Sequence, residues 1–260
     1  MDKNNSLQFV SIILIFLAVL YFLNLGTSTA ASNPLLVDYQ ESNWVTRTSS
    51  SETTGVITWQ TGDLILVVGG TEDTSQTIST PTATGLTFSL VTSTGGSSNA
   101  NTYLWSATAG NNGSSAVTAT VGGSGAKGIS AFVYRGSGGL GNNNTLIGST
   151  AKTISLTRTQ DNSAVAMVMV DWNAVNDVTV TPVPSGATQR EVSYSSGAHT
   201  VFVLDWGDQG PAGTTSYGIT DHTGTVDMSG IVVEVKGSLV SIPTPSPTPT
   251  STPTPTPASN

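Results

Sequence analysis

The chain has 260 residues, with 8 basic and 16 acidic side chains and a formal net charge of -8. Only 9% of its residues are charged, against roughly a quarter in ordinary soluble domains, and Ser, Thr, Gly and Asn fill the gap. The few Lys and Arg lie scattered from Lys3 to Lys236, which excludes the clustered positive surface that nucleic acid requires, and the absence of cysteine excludes disulfides, thiolate metal sites and a Cys nucleophile.

The N-terminus reads MDKNNSLQ, then the apolar run FVSIILIFLAVLYFLNL (9–25), then the small-residue stretch GTSTAAS (26–32). That order predicts an export signal over residues 1–31, cleaved after Ala30 or Ala31. The run, an N-terminal hydrophobic helix, falls just short of the roughly 20 residues of a full span, so an uncleaved membrane anchor is the alternative. Either way the remainder is extracellular or held at the cell surface, and the chain meets a membrane only through this segment.

Residues 36–240 show no sustained helical periodicity. Short Val, Ile, Leu and Thr runs are cut by Gly, Asn, Ser and Pro, which is the pattern of strands and predicts an all-β domain. The runs occur twice. GVITWQTGDLILVV (55–68) matches TISLTRTQDNSAVAMVMV (153–170), and TISTPTATGLTFSLV (77–91) matches VTVTPVPSGATQREV (178–192). TYLWSATAGNNGSS (102–115) matches TVFVLDWGDQGPAG (200–213), and GISAFVYRG (128–136) matches SGIVVEVKG (229–237). Pro81 and Pro182, Gly85 and Gly186, Trp105 and Trp206, and Gly136 and Gly237 are each 101 positions apart. This is an internal duplication, with halves at about 42–137 and 143–237. A single sheet must bury one face on something, so the expectation is that the halves complete one two-sheet antiparallel sandwich. The linking stretch SGGLGNNNTLIG (137–148) reads as a loop, which leaves a two-domain arrangement open. The continuous runs LILVV and AVAMVMV read as central strands covered on both faces, and Trp59, Trp105 and Trp206 as core. The chain closes with SIPTPSPTPTSTPTPTPASN (241–260), a disordered, polyproline-like Pro/Thr spacer of a kind that is often glycosylated.

The order of a GDLILVV strand, a TPxxxG turn, a YLWSATAG strand and a GISAFVYRG strand, followed by a looser second copy, resembles a jelly-roll-like domain. Such domains occur in secreted and cell-surface proteins of bacteria and archaea and in some phage tail proteins. The resemblance covers about residues 36–237. It implies a noncatalytic β-sandwich module and transfers no catalytic or binding residue.

The chemistry-bearing residues are sparse. His199 and His222, the only histidines, fall at a strand start and a turn and read as solvated. Glu72, Asp73, Asp171, Asp177, Asp205 and Asp208 supply carboxylates without a glycosidase signature. Asp171, Asn173, Asn176 and Asp177 offer hard oxygen donors that suit calcium, and would serve equally as a polar turn with side-chain-to-backbone bonds. No other cofactor is suggested. Trp172 is the foremost aromatic platform for a sugar, with Tyr194, Tyr217 and Trp44 behind it. Asn112 and Asn143 carry glycosylation sequons in expected loops. The expected function is therefore that of a noncatalytic surface structural or adhesion module, not an enzyme. Its partners would be surface glycans or other cell-envelope proteins. A carbohydrate-binding module, with or without calcium, is the alternative, and a glycan-active hydrolase is a third.

Overall fold

The structure is a computed structural model that describes residues 30–240, apart from 48, 73–74, 95–99, 124, 174–179, 196–198 and 224–226. The expected export segment and the Pro/Thr tail lie outside the described residues. Among the described residues there is no helix, hence none long and apolar enough to cross a membrane.

The first half holds β2 (Leu35–Glu41), β3 (Val45–Arg47), β4 (Ser51–Trp59), β5 (Leu64–Thr71), β6 (Thr82–Ala83), β7 (Leu86–Thr87), β8 (Ser89–Ser93), β9 (Asn101–Thr108), β10 (Gly113–Thr120) and β11 (Gly125–Arg135), after the short β1 (Ala30–Ala31). The second holds β12 (Ser137–Ser149), β13 (Thr153–Arg158), β14 (Ala164–Asp171), β15 (Thr181–Val183), β16 (Thr188–Ser195), β17 (His199–Trp206), β18 (Gly213–Thr220) and β19 (Met228–Gly237), before β20 (Leu239–Val240). Residues Ala31–Leu239 form one compact unit.

The two halves have similar sheet orders. The first half makes one sheet in the order β2-β11-β5-β9-β8 and a second in the order β4-β10-β6-β7. The second half makes β12-β19-β14-β17-β16 and β13-β18-β15. Every pairing within these four sheets is antiparallel. Gly85 and Gly186 both adopt positive φ, 85° and 97°, so the matched glycines close the same turn in each copy.

The layering corrects the expectation of a single two-sheet sandwich. Each half is already two sheets with its own core, and the halves then stack through their larger sheets to make four layers. Three apolar clusters fill the three gaps. Ile57, Trp59, Ile65, Val67, Trp105, Val117, Ile129 and Val133 lie between the sheets of the first half. Ile154, Leu156, Val165, Met167, Phe202, Leu204, Trp206 and Tyr217 lie between those of the second. Leu64, Leu66, Val68, Leu104, Phe132, Ala166, Val168, Val201, Val203, Ile231 and Val233 form the central core between the halves. The number of strands in each half is what defeats the simpler scheme. A half with enough strands for two sheets buries its own inner faces, and only the outer face of its larger sheet remains to be covered.

Alternation explains the composition of each layer. Along β5, Leu64, Leu66 and Val68 enter the central core while Ile65 and Val67 enter the first-half core. Along β14, Ala166 and Val168 point centrally while Val165 and Met167 point outward into the second-half core. Both faces are buried, so these strands carry unbroken apolar runs. The outer strands β4 and β13 have one face in water and read polar-apolar, as in TISLTR.

The stretch 137–148, expected as a loop, is strand β12, paired along β19 as β2 pairs along β11. Its glycines permit close approach: a Cβ at Gly141 would sit 1.9 Å from Oε2 of Glu234. Its asparagines fasten it across the layers. Asn142 Nδ2 donates to the carbonyl of Thr157 and Asn144 Nδ2 to that of Ser155, each at 2.8 Å. The fully buried Glu234 accepts from the N–H groups of Thr159, Gln160 and Asn142 and from the hydroxyls of Thr159 and Ser163. Residues typical of a loop therefore form an edge strand, held by amide and carboxylate bonds as well as by the packing of Leu140 and Leu146 against the cores.

Because the central core joins both halves, Leu66→Ala should lower stability by about 2–5 kcal/mol and shift one cooperative unfolding transition. Urea unfolding followed by tryptophan fluorescence, with Trp105 in one half and Trp206 in the other, checks this; two separated transitions would contradict a shared core.

Candidate functional site

The connections β5–β6, β8–β9 and β10–β11 of the first half, and β14–β15, β16–β17 and β18–β19 of the second, leave strand ends at one pole of the unit. The two sets adjoin. A Cβ at Gly70, near the end of β5, would lie 2.8 Å from Val170, near the end of β14. At the opposite pole the chain enters and leaves the unit side by side: Ser32 N donates to the carbonyl of Ser238 at 2.9 Å, and Ser238 N to that of Gly136 at 2.8 Å.

In the second half the loop pole is built on Asp171, the last residue of β14. Its carboxylate is fully buried. Oδ1 accepts from the N–H of Asn173 at 3.1 Å and of Asp227 at 2.9 Å, and Oδ2 lies 2.8 Å from His222 Nε2. Burial pushes the Asp171 carboxyl up, but the bonds from His222, Asp227 and Asn173 outweigh it and hold the group below its ordinary range. The His222 ring meets Phe202 edge-on at 4.9 Å, and Lys152 Nζ donates to the His222 carbonyl. Trp172 N donates to the carbonyl of Asp227 at 3.2 Å, so the bases of β14–β15 and β18–β19 are tied together. On that base Trp172 stands 39% exposed.

Both histidines are buried, which corrects the expectation of solvated loop residues. Their sequence neighbours are turn-like, but the strand ends close over the rings. His222 is locked to Asp171. His199, 1% exposed at the start of β17, has no partner for Nδ1 and is pushed down to about 4 by burial. An Asp–His pair has the chemistry of the orienting half of a catalytic triad. Here both members are wholly enclosed, and the pair acts as a latch between two loops.

The other expected site residues separate. Tyr217 is fully buried with its ring edge-on to Trp206 at 5.1 Å, and Trp44 is fully buried with Nε1 donating to Ser130 Oγ at 3.0 Å. Neither can offer a face to a sugar, a correction with a simple cause: each ring fills a core layer. Tyr194 lies half-buried on the edge strand β16. Of the four oxygen donors suggested for calcium, Asp171 and Asn173 meet at the turn, while Asn176 and Asp177 lie outside the described residues. Among the described residues no three His, Asp or Glu side chains gather. Asp205 pairs with Arg190 and Asp208 accepts from Asn33, both at the pole away from Asp171. Asn112 is an exposed turn residue whose Oδ1 accepts from the N–H of Thr61 at 2.8 Å. Asn143 is exposed too, but on strand β12 and not in a loop.

Sequence reasoning missed one acidic contact. Glu191 of β16 faces Glu41 of β2 across the seam between the two halves; burial first, then Glu41, push it up to about 7. Tyr39 Oη lies 3.1 Å from Glu41 Oε2 and 3.1 Å from Ser130 Oγ. Residues 150 positions apart carry no local signal of this contact.

Compared with known proteins, the chain matches no family model, no curated protein and no solved structure.

His199 and Glu191 pull stability in opposite directions with pH. The depressed His199 contributes stability that is complete above its ordinary pKa of 6.5 and is lost as pH falls toward 4, by at most about 3 kcal/mol. The raised Glu191 contributes stability that is complete below its ordinary 4.5 and is lost as pH rises through 7. On acidification from about pH 7 to about pH 5, His199→Gln should therefore gain stability and Glu191→Gln should lose it, read from urea midpoints at the two pH values.

Proposed function

We propose that this chain is a noncatalytic, exported surface module that makes its contacts at the loop pole of its second half. The observation that carries the reading is Trp172: a large ring 39% exposed on a turn whose base is fixed by the Asp171–His222–Asp227 bonds. An aromatic ring on a rigid base binds with little loss of side-chain freedom. Supporting it are the polar, weakly charged surface and the pole-to-pole layout, in which the chain enters and leaves where Ser32 and Ser238 meet and Trp172 stands at the other end. The export-signal pattern at 1–31 and the likeness to jelly-roll-like surface domains point the same way.

Two partner classes fit, surface glycans and other cell-envelope proteins. A glycan partner is the second reading, because an exposed indole stacks on the C–H face of a sugar ring; Asp171 and Asn173 would then border that contact, with calcium as an accessory. A glycan array probed with the purified body should show binding that Trp172→Ala removes and Trp172→Phe weakens, with the melting temperature of both variants unchanged. Binding indifferent to Trp172→Ala would overturn the placement of the site. Mass spectrometry of the exported protein should find its N-terminus at Ala31 or Ser32 under the signal reading, and an intact N-terminus under the anchor reading.

A further inference from the structure

Lys127 is wholly buried, although lysine is almost never enclosed without a counter-charge. It stands on β11 opposite Thr71 of β5. By alternation it faces the same way as Ile129, Ala131 and Val133, into the first-half core. Its Nζ donates to the carbonyl of Gly123 at 2.8 Å, and it makes no ion pair among the described residues. An ammonium has three N–H donors, and burying it against a neutral acceptor is costly.

The turn before Lys127 gathers two further polar groups. Gln76 is buried, with Cγ 3.1 Å from where a Cβ at Gly123 would stand. A Cβ at Gly125 would collide with Gln76 Nε2 and, at 2.6 Å, with Glu72 Oε1. The Gln76 amide and the Glu72 carboxylate therefore meet over Gly125, two residues from Lys127. Lys127 Nζ reaches back to Gly123, against which Gln76 also packs. Glu72 Oε2 is buried and has no hydrogen-bond partner among the described residues. An amine, an amide and a carboxylate thus converge on one turn, shielded from water.

We propose that Lys127 Nζ and the side-chain amide of Gln76 join as an isopeptide, with Glu72 carrying the protons. A lysine that served only to neutralise Glu72 would pair with it. Glu72 is turned instead to the Gln76 amide nitrogen, which places the proton carrier at the leaving group. Glu72 takes one proton from the ammonium, and the freed lone pair of Nζ attacks Gln76 Cδ. A second Nζ proton passes to Nε2. The Cδ–Nε2 bond then breaks, and ammonia leaves with the proton that Glu72 held. One C–N bond replaces another, nothing is oxidised, and Glu72 ends as it began. The link would fasten the β5–β6 connection to the β10–β11 turn. In the second half Met228 opposes Asp171 where Lys127 opposes Thr71, and the Asp171–His222 latch ties the loops there instead. The link is independent of the Trp172 reading, because it lies in the other half.

The test is mass spectrometry of the purified full chain after trypsin digestion in denaturant. Trypsin should cut after Arg47 and Arg135 but not after the blocked Lys127, giving one peptide, 48–135. That peptide should be lighter than its sequence by one ammonia, with fragmentation placing the link between Gln76 and Lys127. Lys127→Met should return the peptide to its full sequence mass. Glu72→Gln, at the partly exposed margin, should keep the all-β circular dichroism spectrum, lose the link and yield a cut after Lys127. A normal cut after Lys127 in the unaltered chain with both peptides at full mass would overturn the proposal. So would an ammonia loss that leaves Lys127 cleavable, as ring closure at Asn112–Gly113 gives, or a link that survives Glu72→Gln.

Discussion

The structure depends on two sheets that are buried on both faces. β5 and β14 send alternate residues into different cores, so Leu66 and Val168 pack against the opposite half while Ile65 and Met167 pack inside their own. At about 25 cal/mol per Å² of apolar surface buried, a Val, Leu or Ile side chain contributes roughly 1.5–3 kcal/mol, and residues 64–68 and 164–170 are all buried apolar side chains. A polar side chain at either face would have to find a partner within a dry layer. That constraint fixes register as well, because a one-residue slip would exchange the two cores.

With the centre committed to packing, polar variety is pushed to the poles and edges. The two copies show this directly. Asp171 ends β14 where Thr71 ends β5, and each is paired to the neighbouring strands in the same way. One copy makes the latch to His222 and the other does not. Glu234 opposes Val165 as Val133 opposes Ile65, so a buried carboxylate replaces an apolar residue where β12 and the residues after β13 can supply five donors. Both halves keep what the central sheets require. Divergence is concentrated where a local set of hydrogen bonds can absorb it.

The same division explains what the sequence could disclose. The all-β class, the strand faces of Trp105 and Trp206, and the doubly covered central strands were legible because alternation and turn glycines are local signals. The number of layers was not. Strand patterns show that an inner face needs a cover without naming the cover, and the halves covered themselves before covering each other. β12 was hidden because its glycines and asparagines are loop residues by composition. Their use as close-approach and cross-layer contacts appears only when β19 and β13 are alongside. The burial of His199 and His222 was hidden for a related reason: TDHTG reads as a turn, and the His222 ring is met by Phe202 and Asp171 from other strands.

The poles also differ in how their groups are satisfied. At the loop pole of the second half, both Asp171 oxygens are matched to donors, and among the described residues an apolar ring stands exposed on a rigid turn. At the other pole, Tyr134 keeps a buried, unmet hydroxyl beneath a cleft walled by both halves. A cleft between stacked copies is a direct consequence of duplication. Each copy brings the same strand ends to the junction, but β11 contributes Tyr134 where β19 contributes Val235, so one half supplies the phenol and the other supplies Arg190 and Asp205. A single copy cannot assemble that combination. The wall of that cleft is asymmetric because the two stacked halves differ at these positions.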